Sequence, residues 1–244
     1  MTGKREQHGV ACFPALVRAL AFFLALLAAC CLHRVATAQE SKPDQWLSDI
    51  DALTSGDAAH QPPRDGVLFV GSSSIRLWTT LAQDFPGTPV INRGFGGSMI
   101  ADSTRYIGRI VVPYRPKLIV LYAGDNDVDG GHTPQQVIDD FKAFVAEVHR
   151  KLPRTVVAFV SIKPSIARAA LWPRMRVANE GIAQWAATQE SVRYVDIATK
   201  MLDVNGRPRP DLLREDGLHL SPAGYAIWTA ELKPLLAHYA FRSQ

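Results

Sequence analysis

The chain has 244 residues, 47% of them hydrophobic, which is enough for one ordinary globular domain with a sizeable core. Its formal net charge is +4, but four basic residues and one acidic residue lie within the first 38, so the remainder is nearly neutral. Nucleic-acid binding normally requires a concentrated basic face, and the composition therefore indicates no nucleic-acid partner.

The first 38 residues are typical of a secretory signal peptide. Lys4 and Arg5 precede an apolar run from Ala19 to Leu32, and small residues follow at 36–38 in an A-x-A pattern. The apolar run is shorter than the roughly 20 residues that a membrane span requires. We therefore expect cleavage before Gln39, a secreted or periplasmic domain over residues 39–244, and no stable membrane span after leader removal.

The cysteines restrict the chemistry further. All three, Cys12, Cys30 and Cys31, lie within the predicted leader. The domain would then have no disulfide, no cysteine-based zinc site and no cysteine nucleophile. Residues 27–30 are also similar to a bacterial lipobox, so a lipid anchor at Cys30 is the alternative to free export.

Short apolar segments alternate with helical patterns over the rest of the chain. Apolar runs predict strands at residues 66–70, 88–91, 117–122, 155–161 and 192–195. Helical periodicity predicts helices at residues 44–59, 75–83, 100–110, 134–151, 171–188 and 222–239. This alternation predicts an α/β fold in which helices cover both faces of a parallel sheet.

Residues with catalytic chemistry follow the first three predicted strands. Ser73 follows the first strand, Gly97 the second and Asn126 the third. In a doubly wound sheet of order 2-1-3 these strand ends are neighbours, and ligands bind beyond the carboxyl ends where the strand order reverses. We therefore expect the three residues to meet at one edge of the sheet.

An Asp-x-x-His pair near the C-terminus supplies the other groups that a serine nucleophile needs. A serine hydroxyl becomes reactive when a histidine takes its proton, and a carboxylate fixes the tautomer of that histidine. Asp216 and His219 are close enough in sequence for one turn to bring both to Ser73. Each motif alone is typical of ordinary turns and caps, but their combination predicts a triad of Ser73, Asp216 and His219. The N–H groups of Ser73 and Gly97 and the Asn126 amide are the candidate oxyanion-hole donors.

Four segments together resemble the sequence blocks of the SGNH (GDSL-like) hydrolases. They are Phe69–Ser73, Gly97, the Gly-x-Asn-Asp of 124–127 and the Asp-x-x-His of 216–219, and the similarity extends over about residues 66–239. The resemblance implies a three-layer α/β/α sandwich with a flavodoxin-like five-stranded parallel sheet. It also implies ester hydrolysis without metal or cofactor, with Ser73, Gly97, Asn126 and His219 as the residues that name the family.

The stretches at 92–105 and 219–225 are similar to platelet-activating-factor acetylhydrolase-like members, which suggests a short acyl group, often acetyl. Two positions depart from the common family pattern, because Ser72 and Ser98 stand where Asp is frequent. Both departures remove negative charge near the site. Of the three adjacent serines, Ser73 is favoured by its place at the strand-to-helix corner, and Ser74 is the next candidate.

Several alternatives remain open at this point. The chain could be a carbohydrate- or lipid-binding protein that keeps the fold without turnover, or an acyltransferase acting on a glycan hydroxyl. Residues 125–130 also fit the start of an EF-hand calcium loop, although the twelfth position is Gln136 rather than the required Glu. The segment Lys163–Ser165 follows the fourth predicted strand and could border the pocket for a small-molecule, glycan or lipid ester, or it could be a plain loop.

Overall fold

A five-stranded parallel sheet lies at the centre of the domain. The structure is a computed structural model that describes residues 44–59 and 62–240. The strands are β1 (Val67–Gly71), β2 (Val90–Gly94), β3 (Leu118–Tyr122), β4 (Val156–Val160) and β5 (Val192–Val195). Their spatial order is β2-β1-β3-β4-β5, and every neighbouring pair is parallel. The predicted fold class and the 2-1-3 order of the first strands are confirmed.

Nine α-helices surround this sheet in the described residues. They are α1 (Leu47–Thr54), α2 (Ser73–Arg76), α3 (Leu81–Asp84), α4 (Ile100–Arg105), α5 (Ile107–Ile110), α6 (Asp125–Asp129), α7 (Pro134–Lys151), α8 (Trp172–Ala186) and α9 (Pro222–Ala240). No helix in residues 44–59 and 62–240 combines the length and hydrophobicity needed to cross a bilayer.

Alternate side chains of each central strand enter two separate apolar cores. In β1, Leu68 and Val70 face the core formed with α4, α5, α7 and α8, whereas Val67 and Phe69 face the core formed with α2, α3 and α9. All five residues of β1 are buried, as expected for a strand covered on both faces. The domain therefore has the three layers of the predicted α/β/α sandwich.

The predicted helix at 75–83 is wrong, because the chain forms two short helices separated by a turn at Trp78. This side chain is only 1% exposed, and it packs edge-on against Phe69. Its indole N–H donates to Asp84 Oδ2 at 2.6 Å, which satisfies a polar group that burial would otherwise leave unpaired. Burial of a large aromatic side chain therefore overrides local helical periodicity here.

Other boundaries differ in the same local way. The helix expected at 44–59 is confined to α1. The helix expected at 100–110 is divided at Tyr106 into α4 and α5. Helix α6 occupies a segment that follows β3 and for which the sequence predicted no helix. The most regular prediction, 134–151, coincides with α7, where the Thr133 hydroxyl accepts from the Gln136 N–H as an N-cap. The predicted leader, 1–38, and the alternative anchor at Cys30 lie outside the described residues.

Candidate active site

The carboxyl ends of β1, β2 and β3 lie side by side. Gly71 of β1 is in register with Gly94 of β2 and with Tyr122 of β3. Gly71 has a φ of +132°, and a Cβ built on it would lie 1.8 Å from the Tyr122 carbonyl oxygen, so only glycine fits there. This close approach places the segments that carry Ser73, Gly97 and Asn126 at one edge of the sheet.

Ser73 is the first residue of α2, and it is the accessible member of the serine triplet. Ser72 and Ser74 are buried, with 0% and 1% of their surface exposed, and neither hydroxyl contacts a protein partner in the described residues. The Ser73 Oγ instead lies 3.0 Å from His219 Nε2. Among the three serines, only Ser73 brings its hydroxyl to a histidine in the described part of the chain.

Asp216 and His219 lie on a tight turn between Leu213 and Leu220, which pair as an antiparallel bridge. The two oxygens of Asp216 have separate partners. Oδ1 accepts from the backbone N–H groups of Leu218, at 2.8 Å, and His219, at 2.9 Å, while Oδ2 lies 2.7 Å from His219 Nδ1. The turn therefore fixes the carboxylate against the imidazole.

These contacts assign the proton positions on the imidazole. The hydrogen bond to His219, reinforced by the two backbone N–H donors, holds the pKa of Asp216 far below its usual range. An ionised carboxylate only accepts hydrogen bonds, so Nδ1 carries the proton and donates to Asp216. Nε2 is then the acceptor that faces the Ser73 hydroxyl. This arrangement can remove the serine proton during attack on a carbonyl carbon.

Two backbone N–H groups belong to residues that line the same cavity as this hydroxyl, Ser73 itself and Gly97. Neither the Ser73 nor the Gly97 N–H donates to another group within residues 44–59 and 62–240. Gly97 has a φ of +79°, and a Cβ there would lie 3.3 Å from the Trp46 ring, so glycine suits both the backbone conformation and the close packing. Both N–H groups are therefore available to a ligand oxygen.

The Asn126 side chain completes the set of predicted donors. Its Nδ2 donates to the Ser98 carbonyl oxygen at 3.0 Å, and its Oδ1 accepts from Arg168 Nη2 at 3.0 Å. An amide nitrogen has two hydrogens, so one N–H remains for the cavity that Asn126 lines. Ser98, one of the two departures from the family pattern, contributes a backbone carbonyl here and donates its own hydroxyl to the Phe95 oxygen.

A buried ion-pair network lies behind Asn126. Lys163 Nζ lies 2.9 Å from Asp125 Oδ2, and these side chains are only 1% and 5% exposed. Burial raises the pKa of Asp125, but the charge and hydrogen bond of Lys163, the Arg168 charge and a Tyr122 hydrogen bond together outweigh burial, so the net pKa is lowered. Lys163 therefore does not border the pocket, one of the two possibilities that the sequence left open, but neutralises a buried carboxylate next to it.

Arg168 joins this network to the pocket, and sequence reasoning missed it. Its guanidinium lies 2.9 Å from Asp129 and 3.4 Å from Asp125 in addition to its contact with Asn126. In the same segment, the Ala167 N–H donates to the Gly217 carbonyl at 3.0 Å, which connects the loop after β4 to the Asp216–His219 turn. No motif marks Arg168 in the sequence, because its role depends on how this loop folds back.

The side chains surround an open cavity of about 450 Å³. Besides Ser73, His219 and Asn126, it is lined by Asp49, Arg76, Gly96, Gly97, Arg168 and Leu218. Among the described residues, Leu218 is the one apolar side chain in this lining, and these residues offer little surface for a long hydrocarbon chain. It is open enough for a carbonyl group to reach Ser73.

One group of side chains in the described residues has donor atoms close enough to hold a metal ion. Asp127, His132 and Asp140 place one such atom each within 4.8 Å of one another. Asp127 is fully buried, and burial raises its pKa to about 6. Its Oδ1 accepts from the Ile100 N–H at 3.0 Å, so it also caps the start of α4.

The calcium-loop alternative does not fit the geometry of 125–129. These residues form helix α6 rather than an open loop. Asp125 is directed to Lys163, and Asp127 is directed to the Ile100 N–H. The two carboxylates therefore have protein partners in different directions and do not converge as EF-hand ligands do.

Comparison with known proteins agrees with this architecture. The sequence profile described as GDSL-like Lipase/Acylhydrolase family matches residues 56–227, which is more than half of the chain. No match was found among curated protein sequences.

Solved structures with the same fold come from several organisms. A Streptococcus pneumonia protein provisionally described as a platelet activating factor has a TM-score of 0.70 at 20% identity, with 88% of this chain and 99% of that chain covered. A GDSL-like lipase from Bacteroides thetaiotaomicron has a TM-score of 0.68 at 21% identity, with coverage of 78% and 98%. An acetylxylan esterase from Geobacillus stearothermophilus, solved as a catalytic mutant, has a TM-score of 0.58 at 16% identity, with coverage of 71% and 95%.

The profile match extends over β1 to β5 and includes all the motifs from which the resemblance was stated. The structural likenesses agree with it at the level of the fold. The chain therefore belongs to the GDSL-like lipase/acylhydrolase family and is a hydrolase that acts on ester bonds.

Proposed function

We propose that this chain hydrolyses short-chain acyl esters, acetyl esters among them, with Ser73 as nucleophile, His219 as general base and Asp216 as the carboxylate that orients it. The observation that carries the proposal is the continuous chain of contacts from Ser73 Oγ to His219 at 3.0 Å and from His219 to Asp216 at 2.7 Å, on the wall of an open cavity.

The reaction has two halves. In the first, Ser73 Oγ attacks the ester carbonyl while His219 Nε2 takes its proton, and the N–H groups of Ser73, Gly97 and Asn126 stabilise the oxyanion. His219 then gives the proton to the departing alcohol, which leaves an acyl group on Ser73. In the second half, His219 takes a proton from water, the resulting attack releases the carboxylic acid, and Ser73 regains its proton.

The cavity lining supports a short acyl group. Long acyl chains bind along extended apolar surfaces, and Leu218 is the one apolar side chain among the lining residues that the structure describes. One of the structural neighbours is an acetylxylan esterase, which makes an acetylated polysaccharide a substrate class to test.

A panel of 4-nitrophenyl acetate, butyrate and palmitate, together with acetylated xylan, tests the proposal. We expect turnover to be fastest with acetate, and Ser73→Ala to lower kcat/KM by about 10⁴-fold. Ser74→Ala is the matched control, because its hydroxyl is buried and without a protein partner in the described residues. We expect Ser74→Ala to keep activity within a few-fold of wild type.

The panel also separates the alternatives. A burst of nitrophenol that is lost in Ser73→Ala excludes a purely binding protein, because the burst requires an acyl-enzyme. Inactivity of Ser74→Ala with retention by Ser73→Ala would assign the nucleophile to the neighbouring serine. A preference for palmitate would contradict the short-chain proposal, and product analysis with a glycan acceptor would detect acyl transfer.

We further propose that the protein is exported and that residues 1–38 are removed. The support is the order of basic, apolar and small residues in this stretch. N-terminal sequencing of the protein from the periplasm or culture medium should begin at Gln39. A lipidated N-terminus at Cys30, detected by mass spectrometry, would instead establish the lipoprotein alternative.

A further inference from the structure

Arg168 is held on several sides at the edge of the catalytic cavity. Nη2 donates to Asn126 Oδ1 at 3.0 Å and to Asp129 Oδ2 at 2.9 Å, and Nη1 lies 3.4 Å from Asp125 Oδ2. The side chain is only 13% exposed. Asp125 is itself fixed by the buried Lys163, so the guanidinium is anchored to groups that cannot easily move.

These contacts decide which way the Asn126 amide points. In the observed orientation, Oδ1 faces the Arg168 cation and Nδ2 faces the Ser98 carbonyl oxygen. A flipped amide would place two oxygens together at Ser98 and two sets of N–H donors together at Arg168. Only the observed orientation satisfies both neighbours, and it leaves one Nδ2 hydrogen for the cavity.

We propose that Arg168 is a positioning residue for the oxyanion hole, acting on the reaction through Asn126. This inference rests on the proposed function, in which Asn126 donates to the oxyanion. Arg168 fixes the amide before substrate arrives, so no reorganisation is needed as negative charge develops. Because the cation withdraws electron density from Oδ1, it also strengthens the Nδ2 hydrogen-bond donors.

A direct role in substrate binding is the competing explanation, since Arg168 lines the cavity. The contacts argue against it. Nη2 already has two acceptors, and Nη1 is a buried atom next to a carboxylate. A substrate anchor would present an accessible free donor to the cavity, whereas Nη2 is taken up by protein acceptors and Nη1, which has no hydrogen-bond partner in the described residues, is buried.

A double-mutant cycle between Arg168→Met and Asn126→Ala tests the proposal on 4-nitrophenyl acetate. Removing an oxyanion donor typically lowers kcat by roughly 10²–10³-fold, and we expect this for Asn126→Ala. We expect Arg168→Met to lower kcat by about 10- to 100-fold with KM changed by less than about threefold. In the Asn126→Ala background, the same change should alter kcat by less than about twofold, because its target is gone.

Arg174→Met is the matched control, since Arg174 is a nearby arginine that donates to the His132 carbonyl and is not part of the cavity lining. It should leave kcat and KM unchanged. If Arg168→Met does not fold, Arg168→Lys replaces it, because the lysine keeps the charge between the two carboxylates but loses the planar fork. Its kcat should fall while circular dichroism stays that of the wild type.

Equal loss of kcat in both Asn126 backgrounds, or a rise in KM alone, would overturn the proposal. Crystal structures of wild type and Arg168→Met provide a readout that needs no activity. At a resolution that distinguishes the amide nitrogen from the oxygen, we expect the Asn126 amide to be rotated, flipped or in two orientations in the variant, and an unchanged, well-ordered amide would also overturn the proposal. A wild type that hydrolyses none of the esters would instead refute the proposed function, and the crystal structures would still decide the role of Arg168.

Discussion

The two sides of the catalytic cavity are built differently. One side carries the proposed general base and is called the base side. It is formed by Asp216 and His219, lies at the surface with 47% and 25% of the side chains exposed, and depends on contacts within one turn. The other side carries the proposed oxyanion donors and is called the oxyanion side. It depends on a buried network around Asn126, in which Lys163 and Asp125 are 1% and 5% exposed and lie 38 residues apart in sequence.

Because of this difference, substitutions on the two sides should affect catalytic activity and folding stability to different extents. A surface ion pair contributes little to folding, because water solvates its members almost as well when it breaks. A buried pair is different, since loss of one member leaves a charge without solvent or partner. Substitutions on the base side should therefore affect turnover far more than folding, whereas substitutions behind Asn126 should affect folding as well.

The largest expected effect comes from His219→Ala. We expect kcat/KM to fall by about 10⁴-fold or more, because the serine loses the group that accepts its proton. The free energy of unfolding, measured by urea denaturation, should change by less than about 1 kcal/mol, since the side chain is partly exposed. A loss of several kcal/mol would show that the base side is also part of the folding core.

Lys163→Met should have the next largest effect, and on stability. It leaves Asp125 buried beside Arg168 as its remaining close cation, and breaking a buried pair in this way costs about 3–5 kcal/mol. Urea denaturation measures this loss. Lys142→Met is the matched control, because Lys142 pairs with Asp139 at the surface and its removal should cost less than about 1 kcal/mol. Equal effects of the two substitutions would contradict the distinction between buried and exposed pairs.

The smallest expected effect is the pH dependence of folding stability that Asp127 causes. Burial raises the pKa of Asp127 to about 6, so between its ordinary pKa and about 6 the folded state holds a proton that the unfolded state has lost. The resulting penalty on the folded state is absent in acid and grows to at most about 3 kcal/mol as pH rises through 6. The free energy of unfolding of Asp127→Asn minus that of wild type should therefore increase from pH 4 to pH 7.5.

Denaturant unfolding of wild type and Asp127→Asn between pH 4 and pH 7.5 measures whether this difference in the free energy of unfolding increases with pH. Subtracting the wild-type value from that of the variant cancels the contributions of the other titrating groups to the pH dependence of stability. Asp216 would show the opposite sign, because its hydrogen bonds lower its pKa and its contribution is lost, not gained, on acidification. A constant difference between Asp127→Asn and wild type would mean that the Asp127 carboxyl ionises with an ordinary pKa.

The sequence predicted those parts of the molecule that depend on short-range order. The parallel sheet follows from apolar runs alternating with helical patterns, and the register of Gly71 with Gly94 and Tyr122 makes neighbours of the segments that follow these strands. The pairing of Asp216 with His219 depends on a spacing of three residues, which is visible in the sequence.

Other features depend on packing that no local pattern contains. The break at Trp78 occurs because burying the indole is worth more than continuing a helical repeat. Arg168 reaches Asn126 across 42 residues, and the path of its loop is determined by tertiary contacts. Residues 163–165 follow a strand, and the sequence left open whether they border the pocket or form a plain loop. The Asp125 carboxylate, which follows the neighbouring strand, pairs with the Lys163 ammonium, and Lys163 is not among the residues that line the cavity.

The hydrogen bond from the Ala167 N–H to the Gly217 carbonyl limits where residues can be inserted into the chain or deleted from it. Ala167 contacts the turn that carries His219, and Arg168, one residue later, contacts the Asn126 amide. Adding or deleting a single residue between Lys163 and Arg168 would move one of these groups relative to the other. We therefore expect substrate range to be altered by insertions elsewhere around the rim, while the number of residues from Lys163 to Arg168 stays fixed.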